Sequence, residues 1–172
     1  MEKNVMETAS KPGKRENTLI KVFDAPVERV WKAWTDPKIV KRWWGPEGFT
    51  APYVSIDFHV GGKSVYCMRG PGFDGVVKDW WNTSMYLEIV PMNKIVQTMS
   101  FADEQGNPVP ASYYNMPGDW PMETQLIVTF EDIGEEKTEV TVREEGIPED
   151  MVEPSRLGWE QQFDKLVELL KE

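Results

Sequence analysis

The sequence predicts an α+β fold in which an antiparallel β-sheet packs against one long C-terminal helix. Three observations carry that expectation. Between Ser155 and Lys171, Trp159, Phe163, Leu166 and Leu170 recur at spacings of four, three and four, with Val167 and Leu169 widening the stripe, which is the period of an amphipathic helix. Upstream, several short runs alternate apolar and polar residues between glycine- and proline-bearing breaks, as strands joined by hairpins do. Strands outnumber helices and the connections are short, which favours an antiparallel sheet over a parallel one.

Taken in order, residues 1–16 are polar and aperiodic, with Ser10, Pro12 and Gly13, and read as a disordered tail. Residues 17–172 then form a single domain, since a second core would leave too little chain for either. Leu19 to Phe23 is a short β-rich run stopped by Asp24 and Pro26. Asp24 is placed to cap a first short helix, with Pro26 in its first turn and Val27, Val30, Trp31 and Trp34 on one face. A second helix starts with Asp36 as cap and Pro37 as first residue, buries Val40, Trp43 and Trp44, and ends at Gly45-Pro46.

Val54, Ile56, Phe58 and Val60 then alternate with polar residues, and Gly61-Gly62 suits a two-residue turn into a returning strand from Ser64 to Arg69. Further strands are expected near Thr83 to Val90, Lys94 to Phe101, Met122 to Phe130, and around Val140 and Val142. On the terminal helix, Glu160, Gln161, Asp164, Lys165, Glu168 and Lys171 fall on the side left to water. Such a helix needs a partner surface, because packing supplies most helical stability in proteins.

The run Phe23-Asp24-Ala25-Pro26-Val27-Glu28-Arg29-Val30-Trp31-Lys32-Ala33-Trp34-Thr35-Asp36-Pro37, followed by Arg42-Trp43-Trp44-Gly45-Pro46, resembles the opening of the activator of heat-shock-protein ATPase homologue-like family. That family belongs to the START and birch-pollen-allergen-like helix-grip superfamily, SRPBCC. Val60-Gly61-Gly62-Lys63, the step from Glu88-Ile89-Val90-Pro91 into Lys94-Ile95-Val96, and Gly158-Trp159-Glu160 are similar to it too, in the expected order. The resemblance implies a helix-grip fold: a curved antiparallel sheet gripping the C-terminal helix, with two short helices after the first strand. The superfamily hosts binders, cyclases, hydroxylase components and chaperone partners, so fold alone does not set the function.

Charge narrows the field. A net charge of -10 argues against nucleic acid and against an anionic membrane surface, since both need a basic patch. Cys67 is the sole cysteine, which excludes an intrachain disulfide and fits a reducing cytoplasm. No N-terminal apolar run resembles a signal peptide, no stretch reaches the ~20 apolar residues of a spanning helix, and the sequon Asn82-Thr83-Ser84 is idle without secretion.

Gly70-Pro71-Gly72-Phe73-Asp74-Gly75 spells a dinucleotide-binding string, but Val76 to Trp81 does not read as the helix such a site requires. It is expected to be a loop between strands. With Gly61-Gly62 as a two-residue turn, Ile56 pairs with Cys67 and His59 with Ser64, so His59 and Cys67 face opposite ways and make no nucleophilic pair. The same register gathers Asp57, His59 and Ser64 into a polar cluster lacking the strained elbow and oxyanion hole of a triad. Cys67 reads as a small buried hydrophobe. With a single histidine at no recognisable ligand spacing, neither metal nor cofactor is expected.

A helix-grip fold would bring together Trp44, Tyr66, Met68, Trp80 and Trp81 with Met99, Met122, Trp159 and Phe163. These either fill a closed core or line a cavity. The loop from Asp103 to Pro121, with Tyr113, Tyr114, Met116 and Trp120, either packs over one end of the sheet or covers a ligand. Glu88 matters only if it points inward. Trp44, Tyr66, Met68, Trp80, Trp81, Glu88, Met99, Tyr114, Met122, Trp159 and Phe163 are therefore the candidate ligand-binding residues. The leading expectation is a domain that binds a small apolar or amphipathic molecule between sheet and terminal helix. The alternatives are a co-chaperone-like module acting on a heat-shock ATPase, and a cyclase or isomerase.

Overall fold

The computed structural model describes residues 15–172. Most of the expected tail, residues 1–14, lies outside the described residues. Glu16, expected at its end, is instead the first residue of a strand. Seven strands form one curved antiparallel sheet: β1 (Glu16–Phe23), β2 (Thr50–Ile56), β3 (Lys63–Pro71), β4 (Val77–Val90), β5 (Lys94–Ala102), β6 (Thr124–Gly134) and β7 (Lys137–Glu145). Their spatial order is β1-β7-β6-β5-β4-β3-β2. Each strand from β2 to β6 pairs with the next in sequence, and β1 pairs with β7.

Three α-helices complete the fold: α1 (Val27–Thr35), α2 (Pro37–Trp43) and α3 (Val152–Leu170). This is the helix-grip architecture, with α3 held by the sheet. Asp36 caps α2, its side chain accepting the Lys38 N–H at 2.9 Å, and Pro37 follows where its missing N–H costs nothing. The cap expected for α1 is different: Pro26 stands at its N-cap with no side-chain bond, and Asp24 pairs with Lys137 at 3.1 Å. α3 begins earlier than its apolar stripe, at Val152 behind a 3-10 turn over Glu149–Met151. Pro154 is tolerated there because the first N–H groups of a helix have no intrahelical acceptor.

The β2–β3 connection departs from the expected two-residue turn. Ile56 pairs with Ser64, Val54 with Tyr66 and Tyr53 with Cys67, so residues 57–62 form a longer loop. Gly62 dictates it: a Cβ there would lie 2.0 Å from the Asp57 carbonyl oxygen, a closeness only glycine permits. Phe58 turns inward against Trp31 and Tyr86, at ring distances of 5.8 and 5.0 Å, while Val60 is exposed. The cluster of Asp57, His59 and Ser64 does not form. His59 Nε2 meets Asp57 at 3.1 Å on the exposed loop, whereas Ser64 is buried and its hydroxyl donates to Tyr86 at 2.9 Å.

β4 carries a bulge between Tyr86 and Glu88. Trp80, Ser84 and Tyr86 are buried, and one extra residue then shifts the phase. Ile89 instead of Glu88 packs against the core, and Glu88 is exposed beside Lys94 at 3.3 Å. The string from Gly70 to Gly75 forms the end of β3 and a turn closed by Gly72 N–H to Val76 O at 3.0 Å, with β4 after it.

Among the described residues no helix is long and apolar enough to cross a membrane.

Candidate functional site: an apolar pocket beside the first half of the terminal helix

The core is unequal along α3. Against the C-terminal half, Phe163 meets Phe23 edge-on at 5.5 Å and Trp34 at 6.2 Å, and Phe130 meets Trp31 and Trp34 at 5.0 and 5.5 Å. Trp43 is fully buried against Trp34 at 4.7 Å. Its indole donates to the Ala33 carbonyl at 2.9 Å, satisfying an oxygen near the end of α1. These rings close that end.

Beside the N-terminal half of α3 a pocket of about 500 Å³ opens. Trp44, Met68, Trp80, Met99, Met122 and Trp159, all expected from sequence, line it. They come from the residue after α2, from β3, β4 and β5, from the approach to β6, and from α3. Tyr66 and Phe163 stand one layer behind: Tyr66 stacks on Trp44 at 4.5 Å and Phe163 meets Trp159 at 5.8 Å. Three others lie elsewhere. Trp81 turns to the outer face beside Tyr53 at 5.7 Å, because alternate residues of β4 face opposite ways. Glu88 is thrown outward by the bulge. Tyr114 is buried under the loop, where its hydroxyl accepts the Trp81 N–H at 3.1 Å and donates to the Ala102 carbonyl, pinning the loop across β4 and β5.

That loop both packs and lines. A 3-10 turn over Ala111–Tyr114 ends at Asn115 in the left-handed region, φ 56°. Beyond it, Met116 and Trp120 reach the pocket. Trp120 is held by its indole donating to Pro117 O at 2.8 Å and by Phe101 at 5.2 Å. Phe49 lies so close to β3 that a Cβ at Gly70 would sit 2.4 Å from its ring.

Sequence reasoning missed the polar part of the wall. Gln161 and Lys165, expected in water, instead hold the turn after α2: Gln161 accepts the Glu47 N–H at 3.0 Å, and the Lys165 ammonium donates to Gly45 O and Phe49 O at 2.8 and 2.9 Å. Burial lowers the Lys165 pKa. Gln162 is buried, and its Oε1 accepts the Gly45 N–H at 2.6 Å. Glu144, on β7, accepts from Asn17 Nδ2 at 3.0 Å and from the Ser155 hydroxyl. Gln162, Glu144 and Ser155 all line the pocket. Only the Gly45-Pro46 break after α2 signalled a turn there, and nothing in the sequence said it would meet α3.

Cys67 is buried on the outer face, and desolvation, followed by the Asp79 charge, pushes its thiol up to about 11. Its cross-strand neighbours are Tyr53 and Trp81.

Sheet, gripped helix and one-ended pocket define a START-like helix-grip protein. The chain belongs to the family described as Activator of Hsp90 ATPase homolog 1-like protein, which matches residues 24–171. No curated protein matches the sequence. Among solved structures, it is similar to a protein from Arthrobacter aurescens with 30% identity and a TM-score of 0.71, covering 91% of this chain and 86% of that one. A protein from Chromobacterium violaceum is 26% identical, with a TM-score of 0.72 over 91% of this chain and 98% of the other. One from Silicibacter pomeroyi shares the fold at 17% identity, TM-score 0.69, with 91% and 98% covered.

Proposed function

We propose that this protein binds a small apolar or amphipathic molecule in the pocket between the sheet and the first half of α3, and that it does so as a single domain over residues 17–172 in the cytoplasm. The observation that carries the reading is the contrast between a pocket of about 500 Å³ and the closed aromatic packing at the other end of the same helix. Small-molecule sites typically occupy roughly 300–1,000 Å³ and join an apolar lining to a few placed polar groups. This pocket has that make-up, with Gln162, Ser155 and Glu144 set among tryptophan, phenylalanine and methionine.

Among the described residues Glu144 is the only acid on the wall and no histidine or lysine joins it. Binding is therefore favoured over acid–base catalysis, which needs a positioned partner. The test is native mass spectrometry of freshly purified protein, followed by denaturation to release what it carries. A stoichiometric small molecule, or a gain in melting temperature from members of a lipophile panel, is the expected result. A clean apo mass with no thermal shift across the panel would overturn it. A changed ATPase rate in a purified heat-shock chaperone would then favour the interaction module.

A further inference from the structure

The pocket wall is unusual in its charge. Four tryptophans line it, Trp44, Trp80, Trp120 and Trp159, with Phe49, Phe73 and Phe101, but among the described residues no lysine, arginine or histidine does. The one charged group among the described residues of the wall is the carboxylate of Glu144. Glu144 sits on β7 between Asn17 of β1 and Leu126 of β6, its cross-strand neighbours. Both its hydrogen bonds, from Asn17 Nδ2 and from the Ser155 hydroxyl, reach Oε1. Among the described residues no cation pairs with it, and Oε2 has no donor.

A second polar group stands further along α3. Gln162 is only 7% exposed and lines the pocket. Because the Gly45 N–H must be met by an acceptor, the amide orientation is fixed with Oε1 toward Gly45 and Nε2 left over. Among the described residues no acceptor meets that Nε2. Ser155, beside Glu144, and Gln162 are two turns apart on one helix face, about 10 Å at 1.5 Å per residue. One end of the pocket therefore offers an unpaired carboxylate and the other an unpaired N–H donor.

Resting on the binding role proposed above, we propose that the ligand is a lipophilic amine. Its ammonium lies at Glu144 among the indole rings, and a carbonyl or ether oxygen lies near Gln162. Aromatic faces attract cations, and Trp80 already carries the Lys78 ammonium 5.1 Å from its ring centroid. Anionic lipids and fatty acids are disfavoured, because a carboxylate in the pocket would meet Glu144 with no basic side chain among the described lining residues to offset it.

The test titrates the full-length protein with pyrenemethylamine, pyrenemethanol and pyrenecarboxylate, read by energy transfer from tryptophan to pyrene. One skeleton is thus presented with three charges. The amine should bind at least about tenfold tighter than the alcohol, as a charge-assisted hydrogen bond provides, and the carboxylate more weakly than either. Glu144→Gln keeps an acceptor for Asn17 and Ser155. It should bring amine and alcohol within about twofold of each other, by a loss of amine affinity. Should that variant fail to fold, Glu144→Met supplies the same comparison with a side chain the wall already uses. A carboxylate bound as tightly as the amine, or an amine preference that survives loss of Glu144, would overturn the inference while leaving the binding role intact. Failure of all three probes to bind would overturn both.

Discussion

One helix divides two regions that solve the same packing problem differently. Around Phe163, Leu166 and Leu170 the space between α3 and the sheet is filled by Phe23, Trp31, Trp34, Trp43 and Phe130, set edge to face. Trp159 also meets rings, Trp44 and Phe163 at 5.8 Å each, but beyond them five methionines, Met68, Met99, Met116, Met122 and Met151, line what is left open. The cause is connectivity. Both α1 and α2 descend on the closed end and supply three tryptophans there, while the open end is covered by loops and the turn after α2. Rigid rings placed by helices interlock, whereas unbranched methionines on loops and strands adapt. The lesson is that aromatic content alone does not distinguish a core from a site; what holds each ring does.

The largest effect expected from this contrast is at the closed end. Trp43→Ala should cost about 3–5 kcal/mol in chemical unfolding, since it empties a site with no exposed surface and orphans the Ala33 carbonyl. Trp34→Phe should cost less than Trp43→Phe, because Trp34 Nε1 is a buried donor with no acceptor among the described residues and its removal relieves a desolvated donor. Equal costs would mean that the hydrogen bond from Trp43 contributes nothing.

Next is the outer face, whose closure Cys67 reports. With the thiol pushed up from 9.0 to about 11, the thiolate at pH 8 is roughly a hundredfold scarcer than in an ordinary cysteine. Iodoacetamide should therefore label the native protein about a hundredfold more slowly than the unfolded chain. The sign of the pH dependence follows from the raised value. Below about pH 9 the thiol is neutral in both states; above it the unfolded chain ionises first, so stability falls between about pH 9 and pH 11. Fast labelling of the native protein would show that the sheet opens at this end.

Local rules account for what the sequence disclosed. The 3.6-residue stripe of α3, the Asp36-Pro37 start of α2 and the alternation in β6 are all short-range patterns, and each appears where expected. What stayed hidden depends on distant pairing. The true β2–β3 register follows from the approach of Gly62 to Asp57 O, and the outward turn of Glu88 from a bulge, neither of which alternation records. Helical periodicity likewise assigned Gln161 and Lys165 to water, because it cannot show that the turn holding Gly45, Glu47 and Phe49 passes over that face. Six of the proposed side chains reach the pocket; Trp81 is displaced by strand parity, Tyr66 and Phe163 by one packing layer, Glu88 by the bulge and Tyr114 by its place under the loop.

A smaller effect is expected where the loop is pinned. Tyr114→Phe removes the hydroxyl shared by Trp81 N–H and Ala102 C=O and should cost about 1–2 kcal/mol. Amide exchange across residues 103–121 should accelerate, with exchange in β6 and β7 unchanged. Faster exchange throughout the sheet would mean that the loop and the core unfold together.

The smallest effect on stability, and the sharpest test of the contrast, is at the rim. Trp120 is partly exposed and held by one bond to Pro117 and one ring contact to Phe101. Trp120→Ala should therefore cost less than about 1 kcal/mol, against the 3–5 expected at Trp43, although the same ring is removed. Its consequence should appear in binding instead, because the ring walls the pocket. Pyrenemethanol should bind more weakly while the melting temperature barely moves. If Trp120→Ala were as costly as Trp43→Ala, the two ends of α3 would be one continuous core and the pocket would be a gap in its packing. A stability loss confined to Trp43 would leave the tryptophans at the rim free to serve the ligand instead of the fold.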